Sequence, residues 1–282
     1  MERKVAIITD SACDLTPAQI AENHIYMVPL RMSVGGREYR DRVDIDADAV
    51  YDMMETTLPK TSLPAAEDVR AAYDLAMADG CTEGIHLSIS SGLSGALGIV
   101  NLVAAEHPLP IRTVDTLTLS AAEGMLVLEA ARMAREGAST DAIVERVQKI
   151  RKKQLGMFVI RTLEYLRKGG RIGLVEGAIG QLLQIQPIVF VNDDGVYQTL
   201  AKSRGRKNSV EKMFQAAITR YARERVRLWV VHGRAQDEAE ALMERLKEKL
   251  DIAASYIAPV SPALGVHTGP GLLGIILAPA EV

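Results

Sequence analysis

The first half of the chain alternates short apolar runs with amphipathic stretches of helical period, and that alternation leaves few folds open. Residues 4–9, 84–88 and 111–114 are apolar and strand-sized, whereas residues 16–23, 46–57, 65–79, 94–105 and 121–135 have helical spacing. Thr16-Pro17 is a cap followed by a first-turn proline. Strands separated by helices predict a mostly parallel sheet covered on both faces. Residues 25–34 and 37–40 flank Gly35-Gly36 and predict a β-hairpin, and residues 59–64 form a polar break between two helices. A further helix over 140–153 ends in basic residues, which suit a helix C-terminus.

From about residue 155 the texture changes. Strands are predicted over 157–160, 186–191, 196–201, 227–231 and 271–277, with Asp193-Asp194-Gly195 as a hairpin turn and a helix over 237–249. The expectation is an α/β protein of two lobes. Residues 1–154 form a mostly parallel sheet flanked by helices and carry the polar loops, and residues 155–282 form an α/β lobe with a mixed sheet and hairpins.

Composition narrows the function classes. Aromatic residues make up only 4% against 48% hydrophobic, so the interior is aliphatic, a good solvent for an acyl chain. A net charge of −3 argues against a nucleic-acid footprint. Cys13 and Cys81 fit no metal or redox spacing, which predicts a reduced, cytoplasmic protein. The first residues lack the apolar stretch of a signal peptide, and no apolar run approaches the roughly 20 residues of a membrane helix. The expectation is a protein that meets lipid one molecule at a time, without membrane insertion.

Four segments can carry chemistry. Ser88-Ile89-Ser90-Ser91-Gly92-Leu93-Ser94-Gly95 follows a strand and opens a helix, so its hydroxyls and amides converge where open α/β sheets bind ligands. A helix N-terminus favours an anion there, although serines at such a place also serve as plain caps. Thr61-Ser62 offers two hydroxyls between prolines, and alone reads as a capping turn. His267 belongs to a set of five histidines, and a lone histidine is usually structural; its setting in His267-Thr268-Gly269-Pro270-Gly271 shifts the reading toward a site on a tight turn. Basic loops stand at Arg167-Lys168-Gly169-Gly170-Arg171 and at Lys202-Ser203-Arg204-Gly205-Arg206-Lys207, either as solvated faces or as phosphate or partner patches. No phosphate-binding loop, dinucleotide fingerprint or zinc-protease motif is present, so no nucleotide cofactor or metal is expected. Gly92-Leu93-Ser94-Gly95 falls short of a nucleophile elbow.

Taken in order, these motifs resemble the DegV family of fatty-acid-binding proteins over essentially the whole chain. The resemblance rests on Thr9-Asp10-Ser11-Ala12-Cys13-Asp14-Leu15, Val28-Pro29-Leu30, Thr61-Ser62, Ile89-Ser90-Ser91-Gly92-Leu93-Ser94-Gly95, Val114-Asp115-Thr116, Tyr165-Leu166-Arg167-Lys168-Gly169-Gly170-Arg171-Ile172-Gly173, Pro187-Ile188 and the His267 turn. It implies a fatty acid between two lobes, its tail in a tunnel of the second, on a non-enzymatic carrier subunit. A separate ATP-dependent fatty acid kinase subunit would phosphorylate the carboxylate to an acyl phosphate. By motif, Thr61, Ser62, Ser94, Gly95 and His267 take the carboxylate, while Arg171 and Arg204 serve the phosphate or the partner. Candidate tunnel residues are Phe158, Ile160, Ile179, Leu182, Leu183, Ile188 and Leu273, each of which also suits ordinary core. The chain departs from the family pattern at Ala96-Leu97, where Thr-Tyr is common, and at Leu63, Ala65 and Gln186. The alternative reading is an acyl hydrolase with Ser94 as nucleophile, His267 as base and Asp115 as acid.

Overall fold

The computed structural model describes residues 3–179 and 185–281. The first 153 residues run β1 (Val5–Asp10), a short 3-10 turn (Ser11–Cys13), α1 (Pro17–Glu22), β2 (Ile25–Val28), β3 (Arg31–Val34), β4 (Arg37–Arg40), α2 (Ala47–Met54), β5 (Lys60–Ser62), α3 (Ala66–Ala78), β6 (Glu83–Ser88), α4 (Ala96–Glu106), β7 (Ile111–Asp115), α5 (Ser120–Arg135) and α6 (Thr140–Lys153). Four strands form a parallel sheet in the order β2-β1-β6-β7. One of its faces buries Ile8, Tyr73, Val100 and Val103 under α3 and α4, and the other packs on α5. Thr16 closes a full capping box with Gln19, and Pro17 stands in the first turn of α1.

Two sequence expectations change here. Residues 25–34 do not form one strand: Pro29, which has no amide to donate, separates β2 from β3. The hairpin is β3–β4 alone, and both turn glycines have positive φ, 57° at Gly35 and 83° at Gly36. The predicted break over 59–64 contains β5, which pairs antiparallel with β3 and sets Thr61 opposite Met32. Propensity alone missed it because three residues of strand carry little periodic signal.

The remaining elements are β8 (Leu155–Val159), α7 (Glu164–Lys168), α8 (Val175–Ile179), β9 (Ile185–Val191), β10 (Tyr197–Arg204), α9 (Arg206–Tyr221), β11 (Arg225–His232), α10 (Gln236–Lys247), β12 (Asp251–Pro259), α11 (Pro262–Thr268) and β13 (Leu273–Pro279). Their six strands order as β10-β9-β8-β13-β11-β12. Only the β11–β12 pair is parallel, so the sheet is mixed as expected. One face buries Met213, Phe214, Leu242 and Leu246 from α9 and α10. The other face meets α5 and α6, and α5 also packs against β1. A single helix layer therefore lies between the two large sheets.

A buried ion cluster fastens that layer. Glu129 on α5 is only 5% exposed and accepts from Arg132 and Arg146 on the helix layer and from Arg227 on β11. Burial pushes its carboxyl up, but the three guanidiniums outweigh that and hold it down at about 2. A depressed carboxyl contributes stability above its unfolded value, and that contribution is lost as pH falls through the folded value. Glu129→Ala leaves the arginines facing each other and is expected to lower unfolding stability by about 3–5 kcal/mol, read as a shift of the urea midpoint. A midpoint unchanged within error would mean that the cluster holds nothing together.

Candidate functional site

The carboxyl ends of β1, β6 and β7 open into three loops, and the site is built where these loops meet α11, β5 and the turn after α7. A cavity of about 230 Å³ lies there, lined by Thr61, Ser62 and Ser94, by Arg171 and His267, and by Leu30, Leu63, Leu93, Leu119, Tyr197 and Leu264 among others. Thr61 Oγ1 and His267 Nε2 are hydrogen-bonded at 2.8 Å. His267 stands in the last turn of α11, not on a turn before the closing strand, and Gly269 at φ 69° ends that helix. Burial, and then the nearby Arg171 charge, bring the imidazole down to about 4, so it is neutral at pH 7. Gly169 lies directly against the ring: a Cβ there would sit 2.2 Å from His267 Nδ1.

The serine loop is braced from both sides. Ser94 Oγ accepts the Ala96 amide, the first of α4, at 3.2 Å while also lining the cavity; the N-cap position itself is Gly95. Ser90 Oγ donates to Gly195 O in the β9–β10 hairpin at 2.7 Å, and a side chain at Gly92 would strike Val196 and Gly195 O. Asp115 accepts the amides of Ser91 and Leu117. Arg171 donates to Leu93 O and Gly169 O, which places its guanidinium on the cavity wall.

Beneath the loops Asp10, Asp14 and Asp41 are buried carboxylates whose role the sequence did not disclose. Asp10 accepts the amides of Ala12 and Ile89, which ties the end of β1 to the start of the serine loop. Asp14 accepts the Ser261 amide at 2.7 Å and Asp41 the Ala263 amide at 3.0 Å, so both hold the first turn of α11. Ser120 and Ser11 donate to their second oxygens. Desolvation lifts Asp10 and Asp14 to about 6 and Asp41 to about 7. The available signal was the density of Thr9-Asp10-Ser11 and Asp14 directly after a buried strand.

A second, apolar cavity of about 50 Å³ adjoins the first and shares Leu119, Tyr197 and Leu264 with it. It runs between the helix layer and the inner face of the mixed sheet, past Ala122, Phe158, Val191, Val231 and Ile276. Gly156 and Gly274 stand on its wall, and at Gly274 a Cβ would strike Val231 Cγ2 at 2.8 Å, so glycine lets that side chain pack close. Of the candidate tunnel residues whose side chains the structure describes, only Phe158 lines it. Leu273 and Ile188 are corrected: strand alternation turns them to the opposite face, into the core under α9 and α10, while Leu272 and Val191 face the cavity. Ile160 is buried in the core beside the helix layer and is not on the cavity wall. Ile179 ends α8, and Leu182 and Leu183 lie outside the described residues.

Arg204 is not brought to the cavity. It ends β10 opposite Ile185 and faces an open cleft with Lys202, Asn208, Glu211 and Lys212. The hydrolase geometry is absent as well, because the His267 Nε2 contact goes to Thr61, Ser94 faces an amide, and Asp115 serves backbone amides. Among the described residues no His, Cys, Asp and Glu group could hold a metal ion, and no helix is long and apolar enough to cross a membrane.

The family model described as "Uncharacterised protein, DegV family" matches residues 4–280. The chain belongs to the DegV family. A DegV domain-containing protein of Clostridium acetobutylicum is 41% identical over 276 residues, covering 97% of this chain and 98% of that one. Among solved structures, a fatty-acid-binding DegV family protein of Thermus thermophilus superposes with a TM-score of 0.92 at 28% identity, covering 98% of this chain and 99% of the other. A fatty acid binding DegV family protein of Streptococcus agalactiae superposes at 0.88 with 30% identity, covering 99% and 100%.

In this DegV chain the depressed imidazole has a direct readout. An NMR titration is expected to show His267 neutral at pH 6, with its midpoint near 4. Because the folded pKa lies below the unfolded one, stability falls as pH drops from about 6.5 toward that midpoint. A midpoint near that of a free histidine would show that the ring is solvated and that the Thr61 contact does not hold it.

Proposed function

We propose that this chain carries one long-chain fatty acid, its carboxylate in the polar cavity and its tail entering the apolar one, which at about 50 Å³ must widen to take it. The observation that carries the reading is the pair of adjoining cavities, one in which hydroxyls, a neutral histidine and Arg171 stand among leucines and the other lined almost wholly by hydrocarbon. The fatty-acid binding of the Thermus and Streptococcus relatives supports it. In this reading Thr61, Ser62, Ser94, the Gly95 amide and His267 orient the carboxylate. The division at residue 154 then separates the hydroxyl loops from the sheet that carries the tail, with residues 118–122 joining the tail wall.

Burial contributes about 0.8 kcal/mol per methylene, and a hydrogen bond to a charged acceptor about 1.5–3 kcal/mol. The tail therefore supplies most of the affinity and the donors supply orientation. Hydroxyls and a neutral imidazole hold the carboxylate, while Arg171, the cation on the same wall, is engaged with Leu93 O and Gly169 O, so an oxygen stays able to attack phosphorus. In this reading the chain itself is not catalytic. A separate ATP-dependent kinase subunit transfers the γ-phosphoryl group to that oxygen, releasing ADP and leaving an acyl phosphate. Arg171, on the cavity wall, would face the incoming phosphoryl group, and the cationic edge around Arg204 would take part in docking the partner.

Protein purified from a bacterial host is expected to release one fatty acid per chain on denaturation, read by mass spectrometry. Thr61→Val and Ser94→Ala should each weaken uptake of hexadecanoic acid by delipidated protein about tenfold or more, the scale of one hydrogen bond to a charged group. Protein that neither carries nor takes up a fatty acid would sink the carrier reading. Failure to yield acyl phosphate with the ATP-binding subunit of its own host would remove the kinase step alone.

A further inference from the structure

The two cavities meet at Leu119, Tyr197 and Leu264, and these residues come from three different elements: the residue before α5, the start of β10 and the middle of α11. All three are nearly closed to solvent, at 7%, 4% and 7% exposure, so the junction of the two chambers lies inside the protein. Two of the three are flexible aliphatic side chains, whereas Tyr197 is a flat ring held on several sides. Its backbone pairs with Val191 on β9 and accepts the Leu174 amide at 3.2 Å. Gly173, at φ 52°, allows that close approach, because a Cβ there would lie 3.1 Å from Tyr197 O. The ring itself meets Phe158 edge-on, with centroids 5.3 Å apart and planes at 72°, and Phe158 stands on the apolar wall.

Resting on the fatty-acid reading above, we infer that Tyr197 is the specificity-determining residue of the site: its ring, wedged between Phe158 and the polar chamber, admits an unbranched methylene run and rejects chains substituted close to the carboxyl group. Any ligand with its acid at Thr61 and its tail beyond Leu264 must pass this ring with the carbons that follow the carboxylate. A slender chain can lie along the face of a ring. A methyl branch at that point must displace the ring from Phe158, whose own position is set by the pairing of Phe158 with Gly274 and Val189. Discrimination then arises from a clash built against the wrong ligand and not from extra contacts to the right one.

The test is a competition between hexadecanoic acid and 3-methylhexadecanoic acid for the delipidated full chain, read by native mass spectrometry. The wild type is expected to favour the unbranched acid by about tenfold or more, the scale on which one methyl is resolved in an apolar pocket. Tyr197→Ala should bring the two acids to equal retention, and Tyr197→Phe, which keeps the ring, should preserve the preference. Tyr197→Leu gives the same reading as Tyr197→Ala if the smaller residue prevents folding. Equal retention by the wild type, or a preference that survives both Tyr197→Ala and Tyr197→Leu, overturns the assignment. A wild type that takes up neither acid sinks the fatty-acid reading itself, and this inference with it.

Discussion

Two carboxylates carry the geometry of this site. Asp14 and Asp41 come from the ends of early elements, yet each hydrogen-bonds an amide at the start of α11, more than two hundred residues later in the chain. A helix of seven residues has little stability of its own, since nucleation is unfavourable and few bonds follow it. Amide donors alone do not offset the burial of these acids fully, which is why their pKa values stand well above those of free carboxyls. The helix they hold contributes Leu264 to both cavities and His267 to the polar one. If that anchorage is lost, the polar chamber loses a wall.

The same logic runs through the other walls. Asp10 pins the serine loop to β1, and the β9–β10 hairpin leans on that loop through Ser90 and Gly92. Arg151 donates to Leu117 O and Asn192 O, so the loop after β7 and the hairpin are tied by one guanidinium. Thr61 and His267 brace each other across the cavity, and Arg171 reaches Leu93 O in the serine loop, whereas Ser94 is held by the amide two residues on. The hydroxyl of Ser94 and the imidazole of His267 keep their positions without touching each other, an arrangement that suits holding an acid and gives no proton relay for hydrolysis.

Much of the fold was legible from the residues. The parallel order of β1, β6 and β7 follows from strands separated by amphipathic helices, and α6 occupies residues 140–153 as the spacing required. That Thr61, Ser94 and His267 line one polar cavity could be anticipated only in part, because each sits in a segment whose turn residues mark it out but nothing local brings the three together. The wall of the apolar cavity was not legible. Ile188 and Leu273 have the right chemistry for a tunnel, but a single-residue alternation sends them to the other face, and only the pairing register decides which face that is.

What the sequence determined by itself was local: where strands and helices alternate, where prolines and glycines stop them, and which loops carry hydroxyls. Those follow from periodicity and backbone sterics, which act over a few residues. The tertiary structure alone decided that Asp14 and Asp41 reach α11, that Thr61 meets His267, and that Gly156 and Gly274 line an apolar space. Such contacts join residues far apart in the chain. They depend on how two sheets close over one helix layer, and no local pattern encodes that packing.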